Sequence, residues 1–273
     1  MKLPDNYQDV VDRFIAVCQA DKRIVAAFLG GSYAKDEADK YSDLDLYLVA
    51  TDEAYGALLA QRDDLIRKLG EPLFLESFGR THGRFVIFSN GADCEIWFGR
   101  ESGYHQIHVG AYRVLLDKTG ILAGEAFPMQ EADPARQTEI LRQQIDWFWH
   151  ELSHFIKAMG RKQLWFAFGQ LEVMRQMCVN LARLRHDFSD AYGGEEPYFK
   201  IEQALPVEQL SPLRATYCVM EYAPMLQAAR VVCRYYQEIA PNLARGHHLA
   251  YQTSLEHMMM GQLNDLDEGR LRM

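Results

Sequence analysis

The sequence predicts an α+β protein in which a small domain built on a mixed sheet is followed by an all-helical bundle domain. Short segments rich in aromatic and β-branched residues alternate with helical patterns in the first half of the chain. A segment with two prolines and several charges follows at 127–137, and beyond it the hydrophobic spacing is helical. We therefore expect one domain over residues 1–126 and a second over residues 127–273.

Hydrophobic periodicity assigns two helices and five strands to the first domain. The Ser-Asn-Gly turn at 89–91 lies between two of the strand segments and predicts a hairpin. The predicted helices span 6–21 and 52–70, and the predicted strands lie within 23–31, 43–50, 71–79, 83–91 and 92–100.

Helical spacing continues through most of the second domain and predicts four or five helices. No internal repeat and no low-complexity stretch interrupts this pattern. The helical patterns cover 136–160, 162–188, 211–240 and 246–263.

Composition excludes several classes of protein. The chain has 48% hydrophobic and 25% charged residues, which is typical of soluble globular proteins, and it has no apolar run long enough to span a membrane. Five scattered cysteines indicate reduced thiols, so we expect a cytoplasmic protein. The net charge of −9 argues against long nucleic acid as a partner. A homodimer is left open.

Two aspartates interrupt the apolar strand pattern at 43–50. Asp43 and Asp45 point to the same side of a strand, with Cα atoms about 6.6 Å apart. Like charges held so close repel each other, and burial strengthens the repulsion. A divalent cation removes this conflict, and carboxylate oxygens suit Mg²⁺. The alternative is an exposed edge strand whose aspartates are solvated.

A glycine pair precedes the aspartates and favours the first interpretation. Gly30, Gly31 and Ser32 follow a predicted strand directly, and Lys35 comes one turn later. Glycine lets backbone N–H groups approach a phosphate closely, and Ser32 and Lys35 add a hydroxyl and a positive charge. A phosphate cradle beside paired carboxylates predicts metal-assisted phosphoryl or nucleotidyl transfer.

The segment GSYAKDEADKYSDLDLYL resembles the signature of the nucleotidyltransferase superfamily that includes DNA polymerase beta. That signature has Gly-Ser, a gap of roughly ten residues, and Asp-hydrophobic-Asp, with a third acid on a neighbouring strand. The two-domain layout resembles the lincosamide and aminoglycoside nucleotidyltransferases. The resemblance implies that Gly31, Ser32 and Lys35 bind the nucleotide and that Asp43 and Asp45 bind Mg²⁺.

The third acid has two candidates in the strand pattern at 92–100. Asp93 and Glu95 share one strand face, so periodicity alone does not choose between them. The superfamily places the acid before a hydrophobic triplet, which favours Glu95, although many members carry aspartate there. The resemblance implies that Glu95 completes the metal site and is a candidate base for the acceptor hydroxyl.

The second domain offers basic residues for the nucleotide. The stretch 157–185 contains six basic residues and one acid. Arg175 lies on the apolar stripe of its predicted helix, where its charged end either reaches solvent or has a buried anionic partner. An interdomain salt bridge and a triphosphate contact are both open for that partner. The resemblance makes Lys157 and Arg175 candidates for nucleotide contacts. None of the nine histidines has the spacing of a zinc site.

We therefore expect an enzyme that transfers a nucleoside monophosphate, AMP from ATP, to a hydroxyl of a small molecule with the help of Mg²⁺. An antibiotic such as a lincosamide or an aminoglycoside is the expected acceptor, and the acidic charge favours a cationic one. Two alternatives remain open. One is a nucleotidyltransferase that modifies a protein or a tRNA, and the other is a non-catalytic nucleotide-binding antitoxin or regulatory protein.

Overall fold

The computed structural model describes residues 3–124, 127, 133–189 and 196–266. The chain forms two compact units, Met1–Gln130 and Glu131–Met273. The predicted division after residue 126 stays a prediction.

The first unit is built on one six-stranded mixed sheet with the strand order β3-β4-β5-β2-β1-β6. Its two central strands, β2 and β5, run parallel, and every other neighbouring pair is antiparallel. The chain crosses from β2 to β5 through two helices and the β3–β4 hairpin. The strands are β1 (Ile24–Leu29), β2 (Leu44–Ala50), β3 (Pro72–Glu76), β4 (Gly83–Phe88), β5 (Asp93–Arg100) and β6 (Arg113–Asp117).

Helices cover one face of this sheet because their apolar sides match its apolar side chains. Helix α1 (Asp5–Ala20) buries Val10, Phe14 and Cys18 against strand residues that include Leu44 and Ile96. The same face carries α3 (Asp52–Ala60), which begins after the Thr51 cap, and α4 (Arg62–Arg67). Burial of these side chains removes apolar surface from water and holds the sheet to its helices.

The opposite face of the sheet carries a smaller aromatic cluster. Phe28 of β1 stacks on Tyr47 of β2 with ring centres 4.6 Å apart, and Phe127 packs on Phe28 at the same separation. A 3-10 helix at Glu101–Gln106 leads into this cluster. The carboxylates predicted from the sequence lie on this second face, beside the cluster.

The second unit is all-helical in the residues that the structure describes. Helices α5 (Pro134–Gly160) and α6 (Leu164–His186) pack along each other, and α9 (Tyr222–Gly246) completes the core. Tyr236 stacks on Phe148 and donates a hydrogen bond to the Ile145 carbonyl, 2.8 Å away. Three shorter helices complete the described part, α7 (Ile201–Ala204), α8 (Val207–Arg214) and α10 (Thr253–Asp265).

The predicted α+β fold, a mixed-sheet domain before a helical domain, is confirmed. Three elements differ from the sequence analysis. The sixth strand, β6, was not assigned, the predicted helix 52–70 is two helices that meet at Gln61, and the predicted helix 211–240 is interrupted between α8 and α9. No helix in the described part of the chain is both long and apolar enough to cross a membrane.

Candidate active site

Four carboxylates lie on one face of the two central strands. Asp45 of β2 is paired directly with Glu95 of the parallel strand β5. Asp43 stands just before β2 and Asp93 begins β5, each two residues earlier on its strand. Because side chains alternate along a strand, all four share a face, whereas the intervening residues, Leu44 among them, are buried on the other.

The negative charges of these four carboxylates repel one another. Burial, together with the neighbouring Asp43 and Glu95, raises the pKa of Asp45 to about 7 against an opposing effect of Lys35. Burial also raises the pKa of Asp43, with further contributions from Asp93 and Glu95. Ionising both aspartates together is therefore unfavourable without a cation, as the sequence analysis anticipated.

Gly31 brings the backbone against the Asp45 carboxylate. It begins the single-turn helix α2 (Gly31–Ala34) with φ +60°, a conformation that favours glycine. A Cβ atom at this position would lie 1.7 Å from Asp45 Oδ2, so no other residue fits without displacing the carboxylate. The Gly30 amide donates to the Asp45 carbonyl at 2.9 Å, which fixes the turn to β2.

Ser32 and Lys35 are the two side chains that the sequence analysis assigned to the nucleotide on this turn. Ser32 is partly exposed on α2, and Lys35 is exposed at the end of that helix. Lys35 is near enough to lower the pKa of Asp45, so its positive charge lies beside the carboxylates. Ser32 directly follows Gly31, whose backbone lies against the Asp45 carboxylate, and the contact of Ser32 and Lys35 with a nucleotide stays a prediction.

Glu95 and Asp93 have different partners. Arg80 Nη1 lies 3.2 Å from Glu95 Oε2, and the indole Nε1 of Trp97 donates to the same oxygen at 3.1 Å. Asp93 accepts a short hydrogen bond from the Tyr7 hydroxyl of α1. The negative charge of Glu95 raises the pKa of both Asp43 and Asp45, whereas that of Asp93 raises the pKa of Asp43 but not of Asp45. This difference favours Glu95 over Asp93 as the third carboxylate.

Two of these carboxylates fit a magnesium site in which the protein supplies few of the ligands. Among the described residues, no group of three His, Cys, Asp or Glu side chains is close enough to hold a metal ion. Asp43 and Asp45 are two hard oxygen donors whose repulsion a cation would relieve. Mg²⁺ commonly uses one or two carboxylates together with water and substrate phosphates, so this pair fits it. Glu95 as a third ligand stays a prediction.

A small cavity of about 170 Å³ adjoins Glu95. The guanidinium of Arg80 lies 5.3 Å from the centre of the Trp97 ring, and Phe78 and Phe85 form other parts of the wall. Arg80 belongs to the loop between β3 and β4, which the sequence analysis did not assign to the site. The nearby His82 shares a hydrogen bond with the Tyr55 hydroxyl at 2.6 Å. The Arg80 guanidinium contacts both the Trp97 ring and the Glu95 carboxylate, and Arg84 also lines the cavity, so the cations beside this aromatic wall come from the chain itself.

The two basic residues predicted from the helical unit have different surroundings. Lys157 is exposed on α5. Arg175 is only 1% exposed, and its guanidinium donates to Glu172 on the same helix and to the hydroxyl and carbonyl oxygens of Thr216. The anionic partner that the sequence pattern left open is therefore Glu172. The structure explains Arg175 within the helical unit without a nucleotide.

A larger cavity, of about 620 Å³, lies within the helical unit. Its polar lining residues are Arg175, Tyr198, Glu202, Arg214 and Tyr217, and the Tyr217 ring lies 4.0 Å from the Arg175 guanidinium carbon. The remaining walls are largely apolar, with Val179 and Leu213 among them. Local sequence patterns did not predict this cavity because its walls come from three helices and their connections.

Sequence reasoning also missed three residues that surround the carboxylates, Tyr7, Arg80 and His108. Tyr7 reaches Asp93 across 86 positions of sequence, and Arg80 reaches Glu95 across 15. The ring of His108 packs on Tyr47, two residues beyond Asp45. No local periodicity predicts contacts of this kind. The one available signal was the density of Arg and His around 80–84, which the resemblance did not include.

Comparison with known proteins identifies the family. The sequence profile of the streptomycin adenylyltransferase family matches residues 5–266. A solved aminoglycoside 6-adenyltransferase from Bacillus subtilis aligns over 97% of this chain and 99% of its own, with 15% sequence identity and a TM-score of 0.42. No curated protein matched the sequence. On the profile match over nearly the whole chain, this protein belongs to the streptomycin adenylyltransferase family and is a nucleotidyltransferase.

Proposed function

We propose that the protein transfers AMP from ATP to a hydroxyl group of an aminoglycoside of the streptomycin class, with Mg²⁺ as cofactor. The observation that carries this proposal is the half-buried Asp43–Asp45 pair beside the Gly31 turn, with Asp45 paired to Glu95 on the neighbouring strand. In this arrangement Asp43 and Asp45 would be metal ligands and Glu95 would be a base. The Gly31 backbone lies against the Asp45 carboxylate. Family membership supports the same reaction class.

The bond changes follow from nucleotidyl transfer. An oxygen of the acceptor hydroxyl attacks the α-phosphorus of ATP, the bond from that phosphorus to the β-phosphate oxygen breaks, and pyrophosphate leaves. The hydroxyl proton goes to the Glu95 carboxylate. A carboxylate has about four lone-pair sites, so Glu95 can accept this proton while Trp97 and Arg80 hold the group in place.

Asp43 and Asp45 would hold Mg²⁺, and the ion would neutralise phosphate charge and stabilise the departing pyrophosphate. The chain itself contributes the remaining groups. Gly31 lets the backbone approach the Asp45 carboxylate closely, Ser32 offers a hydroxyl, and Lys35 offers a positive charge. Lys157 is the better of the two candidates from the helical unit because it is exposed, whereas Arg175 is buried and engaged.

A cationic acceptor suits the charge of this protein. The chain carries a net charge of −9, which attracts cations over a distance of about one Debye length. The family profile is that of a streptomycin adenylyltransferase, and the solved relative is described as an aminoglycoside 6-adenyltransferase. Both descriptions name reactions with cationic antibiotics. The same net charge argues against a tRNA acceptor.

A donor and acceptor panel tests the proposal. Pyrophosphate release is measured with ATP, GTP, CTP or UTP, each with Mg²⁺ and with streptomycin, another aminoglycoside, lincomycin or no acceptor. We expect the highest rate with ATP and streptomycin, and loss of the signal in EDTA or in Asp45→Asn. An acceptor-independent rate, or an equal rate for lincomycin, would contradict the proposed acceptor class.

A further inference from the structure

His108 lies beside the glycine turn in an orientation set by its aromatic neighbours. Its ring centre is 4.9 Å from that of Tyr47, 5.2 Å from that of Phe127 and 5.5 Å from that of Phe28. These contacts come from three different segments of the first unit. The imidazole is therefore held by packing on several sides and has little freedom to rotate away.

The two ring nitrogens of His108 face different surroundings. Nε2 lies 2.9 Å from the carbonyl oxygen of Ala111. The opposite edge packs on Gly30, where an added Cβ atom would lie 2.9 Å from Cε1 and 3.3 Å from Nδ1. Within the described residues, Nδ1 makes no hydrogen bond. Gly30 directly precedes Gly31 and Ser32, so Nδ1 borders the surface that the proposed function assigns to phosphate.

The protonation of His108 follows from its bond to Ala111. A carbonyl oxygen accepts but does not donate, so Nε2 carries the proton of the neutral ring, and Nδ1 can donate a hydrogen bond in the imidazolium form alone. Burial lowers the pKa of His108, and the positive charge of Lys35 lowers it further, so the free protein at neutral pH has the neutral ring. The remaining titratable group packed on the ring is Tyr47.

We propose that His108 is a nucleotide-binding residue, which takes up a proton and donates from Nδ1 to a β- or γ-phosphate oxygen of ATP. The inference rests on the proposed function, because it places the triphosphate on the Gly30–Ser32 turn. A phosphate there brings negative charge to the lone pair of Nδ1, which favours protonation. The bond formed is charge-assisted on both sides, and such bonds are among the stronger ones in proteins.

Two isosteric variants separate this role from a packing role. His108→Asn places an amide group where Nδ1 was and loses the Ala111 bond. His108→Gln reaches the Ala111 carbonyl and leaves nothing at the Nδ1 position. Binding of the ATP analogue with a methylene group between the α- and β-phosphates, and of AMP, is measured by titration calorimetry with Mg²⁺, and thermal melting checks that each variant is folded.

We expect His108→Gln to weaken binding of the ATP analogue by about ten- to a hundredfold and binding of AMP little, while His108→Asn stays within a few-fold of the wild type for both ligands. Titration in two buffers of different ionisation enthalpy reports proton uptake. The wild type should take up protons when it binds the ATP analogue, and both variants should take up fewer because they lack His108. Any change in the protonation of the nucleotide itself is the same for all three proteins.

Equal affinities of the wild type and His108→Gln for the ATP analogue would overturn the inference, as would an equal loss for AMP and the ATP analogue. Unchanged proton uptake in both variants would also overturn it. These results leave the proposed function standing, because the wild type still binds the analogue. Failure of the wild type to bind the ATP analogue would instead refute the proposed donor, and this inference with it.

Discussion

The substitution Asp45→Asn should raise the free energy of unfolding of the metal-free protein at pH 8, although it should abolish activity. The wild-type carboxyl group is partly buried beside Asp43 and opposite Glu95, which raises its pKa from 3.8 to about 7. An amide of the same shape carries no charge. It therefore removes the repulsion while it preserves the packing against Gly31.

The magnitude follows from linkage. A carboxyl group whose pKa is higher in the folded chain binds its proton more tightly when folded, so the free energy of unfolding falls as the pH rises from about 4 to about 7 and then levels off. At about 1.4 kcal/mol for each tenfold change in proton affinity, the cost reaches about 4 kcal/mol at most. Asp45→Asn should recover up to this amount at pH 8 and almost none at pH 4.

Urea unfolding in EDTA at pH 4, 6 and 8 measures this effect, and hydrogen exchange in peptides covering β2 assigns the transition to the first unit. Asp9→Asn, an exposed aspartate of α1, is the matched control and should change little at any pH. Saturating Mg²⁺ should reduce the difference in the free energy of unfolding between the wild type and Asp45→Asn. No gain at pH 8, or the same gain at pH 4, would refute the electrostatic reasoning.

Three further predictions concern the neighbours of this carboxylate and the helical unit. Gly31→Ala should lower kcat by about a hundredfold or more, because its methyl group displaces the Asp45 carboxylate; steady-state pyrophosphate release measures this, and near-normal turnover would contradict the geometry. Glu95→Gln should lower kcat by at least about a hundredfold, while Asp93→Asn should cost about 1 kcal/mol of stability and little turnover; the reverse pattern would reassign the third carboxylate. Arg175→Ala should lower the free energy of unfolding of the helical unit by about 3 kcal/mol or more without raising the KM for ATP, and a large rise in KM in folded protein would restore this arginine to the nucleotide site.

Local sequence patterns predicted the parts of the site that lie within one segment. The alternation through 43–50 is a property of a single strand, so the shared face of Asp43 and Asp45 could be read directly. The glycine pair was likewise informative, since Gly31 adopts a positive φ against the carboxylate. Family resemblance then supplied the order of the motifs.

The parts that the sequence did not predict depend on partners far apart in the chain. Residues 211–240 have continuous helical spacing, yet the chain leaves the helix after Arg214 and places Thr216 against the Arg175 guanidinium. A buried guanidinium needs such acceptors, and an uninterrupted helix would use its own carbonyl groups internally. The Ser-Asn-Gly turn at 89–91 did predict the β4–β5 hairpin, but the Arg80–Glu95 ion pair also depends on the conformation of the loop between β3 and β4, which strand periodicity does not fix.

The central claim is covalent transfer of AMP to a cationic antibiotic, and the mass of the acceptor tests it most directly. Streptomycin is incubated with the protein, Mg²⁺ and either ordinary ATP or ATP labelled with ¹³C in its ribose, and the antibiotic is recovered and analysed by mass spectrometry. We predict one added AMP per molecule, heavier with the labelled donor, and none with Asp45→Asn. Unmodified streptomycin after incubation with folded wild-type protein that binds ATP would contradict the proposed acceptor, and an adduct that persists with Asp45→Asn would contradict the proposed site.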